Sequence, residues 1–78
     1  MLVTLVSPEE VLFEGTARQV LTRTTEGEVA FLSNHAPFLG ALVEHDARVW
    51  LDDGTTREFH VPGGFVEVVH DTVTILVS

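Results

Sequence analysis

The sequence has 78 residues, 12 acidic and 4 basic, for a formal charge of −8, and it contains no cysteine. That balance excludes a nucleic-acid surface, whose phosphates need clustered Lys and Arg, and direct docking on anionic lipid, while the missing thiols exclude disulfide staples and thiolate metal sites. No apolar run nears the roughly 20 residues of a membrane span, no leader pattern opens the chain, and 45% hydrophobic residues is too apolar for disorder, so the sequence reads as one soluble, cytosolic domain.

A single core in a domain of this size rarely supplies more than about 3–5 kcal/mol, so a partner surface would add stability by mass action. Met1 to Val6 is apolar and β-branched and ends at Ser7-Pro8-Glu9-Glu10. Ser7 followed by Glu10 has the form of a helix capping box. The segment after it, Val11 to Gly15, is too short and too β-prone for a helix and is expected to be a short strand ending at Gly15. Ala17 to Thr24 mixes apolar and polar positions and is expected to be a longer, partly exposed strand.

Glu26-Gly27-Glu28 is a turn signal, because Gly27 can take the positive φ of a tight reversal. Val29 to Leu32 is a short apolar run bounded by turn residues, as in a buried strand. Ser33-Asn34-His35-Ala36-Pro37 is a polar corner. Pro37 fixes its own φ and pushes Ala36 towards an extended conformation, so no helix continues there. Phe38 to Val43 is another apolar run, stopped by Glu44-His45-Asp46.

Ala47 to Asp52 alternates, with Val49 and Leu51 on one face. Asp53-Gly54 is the strongest hairpin signal in the chain, with Thr55 to Val61 as its return strand. Pro62-Gly63-Gly64 marks a corner where the backbone needs space. Phe65 to Val69 and Thr72 to Val77 form a last pair around His70-Asp71. Many short strands, with prolines only at breaks and no helix, indicate an antiparallel sandwich or barrel. The period-2 pattern puts Val3, Leu5, Val20, Val29, Phe31, Val49, Leu51, Phe59, Val66, Val68, Val73 and Ile75 in the core.

Catalytic chemistry finds little support. Ser7, Ser33 and Ser78 are the only serines, and none lies in a nucleophile-elbow pattern. Gly63-Gly64 lacks the rest of a phosphate loop. His35, His45, His60 and His70, two of them beside Asp46 and Asp71, offer metal donors, but their spacing matches no ligand pattern and reads as solvated turns. No cofactor is expected. A free-standing β-sandwich module binding a small ligand or peptide remains an alternative, as does a small metal-dependent enzyme.

The order of motifs is more specific. Glu26-Gly27-Glu28, an apolar strand, then Ser33-Asn34-His35-Ala36-Pro37 resembles the signature of the epsilon subunit of rotary, F-type ATP synthases, called delta in mitochondria. Ser33 and Asn34 stand where the family has Pro and Gly, and Asn tolerates the left-handed region nearly as Gly does. The opening Val3 to Gly15, the run Pro62 to Val68, and the closing Val73 to Leu76 are similar to that family as well. The resemblance covers nearly the whole chain.

It implies an all-β, ten-stranded antiparallel sandwich of two sheets, without a catalytic centre, on the cytoplasmic face of a bacterial plasma membrane. Such a subunit sits on the central stalk, bound to the gamma subunit and resting on the c ring, and couples proton flow to ATP synthesis. By that analogy Glu26, Gly27 and Glu28 face the c ring, and Ser7, His35, Ala36, Pro37 and Phe38 face gamma. The family's C-terminal helical hairpin has no counterpart in these 78 residues. Inhibition of ATP hydrolysis and ATP binding, which belong to that hairpin, are therefore not expected of them.

Overall fold

The computed structural model describes all 78 residues, Met1–Ser78. It holds eight strands: β1 (Leu2–Val6), β2 (Val11–Thr24), β3 (Gly27–Leu32), β4 (Phe38–Leu42), β5 (His45–Leu51), β6 (Thr56–Val61), β7 (Gly64–Val69) and β8 (Thr72–Val77). The all-β expectation holds, but the count is eight and not ten. One reason is that the two expected strands around Gly15 are one: Gly15 stays extended and pairs with Val3, so β2 runs unbroken for 14 residues.

The strands pair in the order β1-β8-β7-β4-β2-β5-β6, and β1 also pairs with β2, so hydrogen bonding closes into a ring through β1, β8, β7, β4 and β2. The pairing is mixed and not wholly antiparallel, since β1 and β8 run parallel. No turn joins those two strands, so nothing local imposes a hairpin on them. β3 lies along β2 as one free edge, and β6 is the other.

Extended, 14 residues would reach roughly 45 Å at ~3.3 Å each. The molecule is only 27 Å in its longest dimension, so β2 must bend. It does so where the register shifts between Ala17 and Gln19, with Arg18 as the extra residue. That bulge reverses the inward parity: Ala17 is buried, Arg18 is exposed, and Val20, Thr22 and Thr24 then face inwards.

Every strand contributes to the core. Val3, Leu5, Val20, Phe31, Val49, Val66, Val68, Val73 and Ile75 are buried as the alternation predicts. Val29, Leu51 and Phe59 are only partly buried against it. Val29 and Phe59 lie on the two edge strands, and Leu51 ends β5. Ala17, Leu42, Ala47, Val61 and Val77 complete the core. The two buried threonines are satisfied: the Thr22 hydroxyl bonds to His45 Nε2, and Thr24 caps the β2–β3 turn. His45 Nδ1 gives its hydrogen to the Val43 carbonyl at 2.7 Å, so in the neutral ring Nε2 accepts from Thr22.

The Ser7–Glu10 segment forms a turn and no helix. The Ser7 N–H donates to the Glu10 carbonyl at 2.9 Å, and the Glu10 N–H donates back to the Ser7 hydroxyl at 3.3 Å. The corner at Gly64 is tight. Its φ is +130°, and an added Cβ would lie 1.9 Å from the Leu76 carbonyl oxygen. Gly54, at φ +90°, has open space around it. Gly64→Ala should therefore cost more than about 3 kcal/mol and leave the domain largely unfolded, whereas Gly54→Ala should cost about 1 kcal/mol. Urea unfolding of both variants measures the contrast.

The β5–β6 hairpin carries a pH-sensitive surface group. His60 Nδ1 lies 3.0 Å from Asp46 and Nε2 lies 3.2 Å from Glu44. The hydrogen bond to Asp46, aided by the charges of Asp46 and Glu44, raises the His60 pKa above its ordinary 6.5. A raised folded-state pKa means the stabilisation is full below the unfolded value and fades as pH rises through the folded one. The thermal midpoint at low salt should therefore fall as pH rises above about 6.5, and His60→Gln should flatten that part of the profile.

Candidate functional site

Two loops and one sheet face carry the surface features that stand out. The first loop joins β2 to β3. The Thr24 hydroxyl donates to the Gly27 carbonyl and accepts the Glu26 N–H, both at 3.0 Å. Gly27 takes φ +118°, as its turn role requires. The Thr25 N–H donates to the Ala41 carbonyl at 2.9 Å, fixing the loop against β4. Glu26, Gly27 and Glu28 are all exposed.

Glu28 pairs across the hairpin with Arg23, at 3.7 Å. The Val43 N–H bonds to the Arg23 carbonyl, which brings the β4–β5 link beside this pair. Leu21, Thr22, Arg23, Glu28, His45 and Asp46 line a small polar cleft there of about 170 Å³. Asp46 thus joins the expected Glu26–Glu28 loop, with Glu44 close behind. Sequence reasoning treated Glu44-His45-Asp46 as a stop and a solvated turn, because nothing local shows that two loops 18 residues apart meet.

The second loop is the corner after β3. Asn34 has φ +64°, the left-handed conformation anticipated for it in place of Gly. The His35 N–H donates to the Leu32 carbonyl at 3.1 Å, closing the turn. His35 Nδ1 donates to the Ala36 carbonyl at 2.7 Å. The ring stands edge-on to Phe31, centroids 5.0 Å apart, and to Phe38, at 6.5 Å. Phe31 and Phe38 are themselves 5.3 Å apart. The imidazole is thus held by a buried aromatic and a half-buried one. Ala36 and Pro37 are exposed.

Ser7 is not beside this corner. It follows the Val6 end of β1, whereas the corner lies at the Leu2 end, where Asp71 bonds both Leu2 and Asn34. What joins the two is the outer face of β1, β8, β7 and β4. Cross-strand register aligns Val6, Leu76, Phe65 and Ala41 in one row. The next row is Thr4, Thr74, Glu67 and Leu39. Leu39 is 73% exposed and Phe65 55%. Among the outward residues of these four strands Glu67 alone ionises, on a chain of net charge −8.

At the corner end the face opens into a groove of about 360 Å³ lined by Pro37, Phe38, Leu39, Glu67, Val68 and Val69. Sequence reasoning missed Phe65 and Leu76. Their signal was present as runs apolar on both parities, such as Phe65-Val66 and Ile75-Leu76-Val77, which mark strands covered on both sides. The four histidines do not come together, and no group of three or more His, Cys, Asp or Glu side chains is arranged to hold a metal ion.

Comparisons with known proteins bear on this arrangement. The family model described as "ATP synthase, Delta/Epsilon chain, beta-sandwich domain" matches residues 1–78. The ATP synthase epsilon chain of Ligilactobacillus salivarius (strain UCC118) is 36% identical over 76 residues, which are 97% of this chain and 55% of that one. The epsilon chain of Corynebacterium efficiens is 44% identical over 75 residues, 95% of this chain and 60% of that one. The chain spans a little over half the length of these curated relatives.

Among solved structures, a chain of the Euglena gracilis mitochondrial ATP synthase, described as OSCP/F1/c-ring in rotational state 1, superposes with a TM-score of 0.90. It is 25% identical, over 96% of this chain and 48% of that one. A chain of the Tetrahymena thermophila mitochondrial ATP synthase central stalk/c-ring shares the fold, at a TM-score of 0.82 and 20% identity over 97% of this chain and 61% of that one. By the match of its full length to the family model, the chain belongs to the family of ATP synthase delta/epsilon chain β-sandwich domains.

Proposed function

We propose that this chain is the β-sandwich part of a non-catalytic rotor subunit of a proton-translocating ATP synthase. It sits on the central stalk as a peripheral component at the cytoplasmic face of a bacterial plasma membrane. It binds the gamma subunit on one side and the c ring on another, and so carries torque between proton flow and ATP synthesis.

The observation that carries the reading is the nearly uncharged outer face of β1, β8, β7 and β4. Exposed apolar residues in contiguous rows on a strongly acidic molecule mark a surface meant to be covered. Ser7 flanks one end of this face and His35 to Phe38 the other, so a gamma subunit lying along it meets both. His35 Nδ1 is committed to the Ala36 carbonyl, so Nε2 is the ring nitrogen left to serve that contact in this reading. The acidic Glu26–Glu28 loop is the c-ring contact in this reading, where carboxylates set register against polar or basic loops more than they add affinity.

Phe65→Glu and Leu39→Glu test the gamma contact. Both side chains are exposed, so folding should change by no more than about 0.5 kcal/mol, while affinity for recombinant gamma subunit should fall about tenfold or more. Unchanged binding by both variants would sink this assignment of the face.

Glu28→Lys tests the ring contact. It replaces the Arg23–Glu28 pair with like charges, and exposed pairs are worth ~0–1 kcal/mol, so the domain should still fold. Proton-driven ATP synthesis in membranes rebuilt with this variant should drop. Normal synthesis with correct assembly removes Glu28 from the ring contact.

A further inference from the structure

The turn between β7 and β8 is formed by His70 and Asp71. Both are left-handed, at φ +51° and +56°. Asp and His enter that region more readily than most side chains, and two-residue hairpin turns use it at both central positions.

Asp71 has several contacts beyond its own turn. Its Oδ1 accepts the N–H of Asn34 at 2.7 Å, across 37 residues of sequence. Its backbone carbonyl accepts the N–H of Leu2 at 3.1 Å. Its Oδ2 lies 3.8 Å from the Met1 amino group. One residue therefore ties the corner after β3 to the end of the β1–β8 pair. The bond to Asn34 is charge-assisted, the stronger kind. Asn34 is itself left-handed, and it immediately precedes His35, whose ring stacks edge-on to Phe31 and Phe38.

We infer that Asp71 is a positioning residue for gamma binding: its carboxylate holds Asn34 in the left-handed conformation and so presents His35 and Phe38 in one fixed orientation. This deepens the rotor-subunit reading and rests on it for the identity of the partner. Without the carboxylate the Asn34 N–H turns to water and the corner samples several conformations. Apparent affinity for gamma then falls by the fraction of time the corner is in the competent one. Asp71 acts here through Asn34 and makes no contact with the partner itself.

The test uses Asp71→Gly and Asp71→Asn in the intact chain. Gly suits the left-handed turn, so its effect reports the missing carboxylate and not turn strain. Asn also tolerates that conformation and keeps an Oδ1 acceptor, though a neutral and weaker one. In the Gly variant, amide exchange at Asn34 should accelerate, the His35 and Phe38 ring resonances should shift, and affinity for recombinant gamma should fall about tenfold. The Asn variant should lie between it and the parent on all three measures, and it decides the matter if the Gly variant does not fold. Asn34 exchange and gamma affinity unchanged in both variants would overturn the inference. Were the parent chain itself not to bind gamma, the partner reading would fall, while Asn34 exchange and the ring resonances would still judge the clamp.

Discussion

The bend in β2 is the constraint on which the rest of the structure depends. One strand of 14 residues pairs with β1 over its first half and with β3 and β5 over its second, and touches β4 at its end. Only a strand that turns out of its own sheet can do this in a body 27 Å long. The extra residue at Arg18 supplies both the bend and the parity change that keeps Ala17 and Val20 inside together. A straight strand would place Arg18 with Val20 towards the core, leaving an unpaired charge there at a cost no domain of this size could offset.

From that bend follows the division of the surface. The ring of strands leaves one broad outer face of β1, β8, β7 and β4, while the second half of β2 carries the acidic loops around Glu28 and Asp46. The acidic loop adjoins that face, since the Thr25 N–H bonds the Ala41 carbonyl of β4, but Glu26 and Glu28 themselves lie outside its rows.

Much of this was legible in the sequence, and the parts that were not share a cause. Turns showed clearly, because Gly27, Asn34, Asp53-Gly54 and Gly64 reveal local backbone needs. Strict alternation located Val3, Leu5, Val73 and Ile75 for the same reason. What stayed hidden were relations between distant segments. Gly15 reads as a strand end, and only its pairing with Val3 shows otherwise. The Arg18 bulge breaks the alternation without any Gly or Pro to announce it. Ala17 and Ala47 are too small to signal burial. The epsilon-type motifs indicated the corner and the acidic loop, but the face between Ser7 and His35 needed strand order, which periodicity does not contain.

The parallel pairing of β1 with β8 also bears on how the molecule forms. Leu2 sits opposite Thr72 and Val6 opposite Leu76, so the strand made first waits for one made about 70 residues later. Contacts this far apart must close a long loop before they return any stability, which slows folding relative to hairpin-rich domains. Until then β1 has only β2 beside it, and Val3 and Leu5 lack their β8 neighbours Val73 and Ile75. A nascent chain in that state is open to wrong strand pairing. Its most vulnerable moment is thus the interval on the ribosome before β8 emerges, when the β1 edge is still unclaimed.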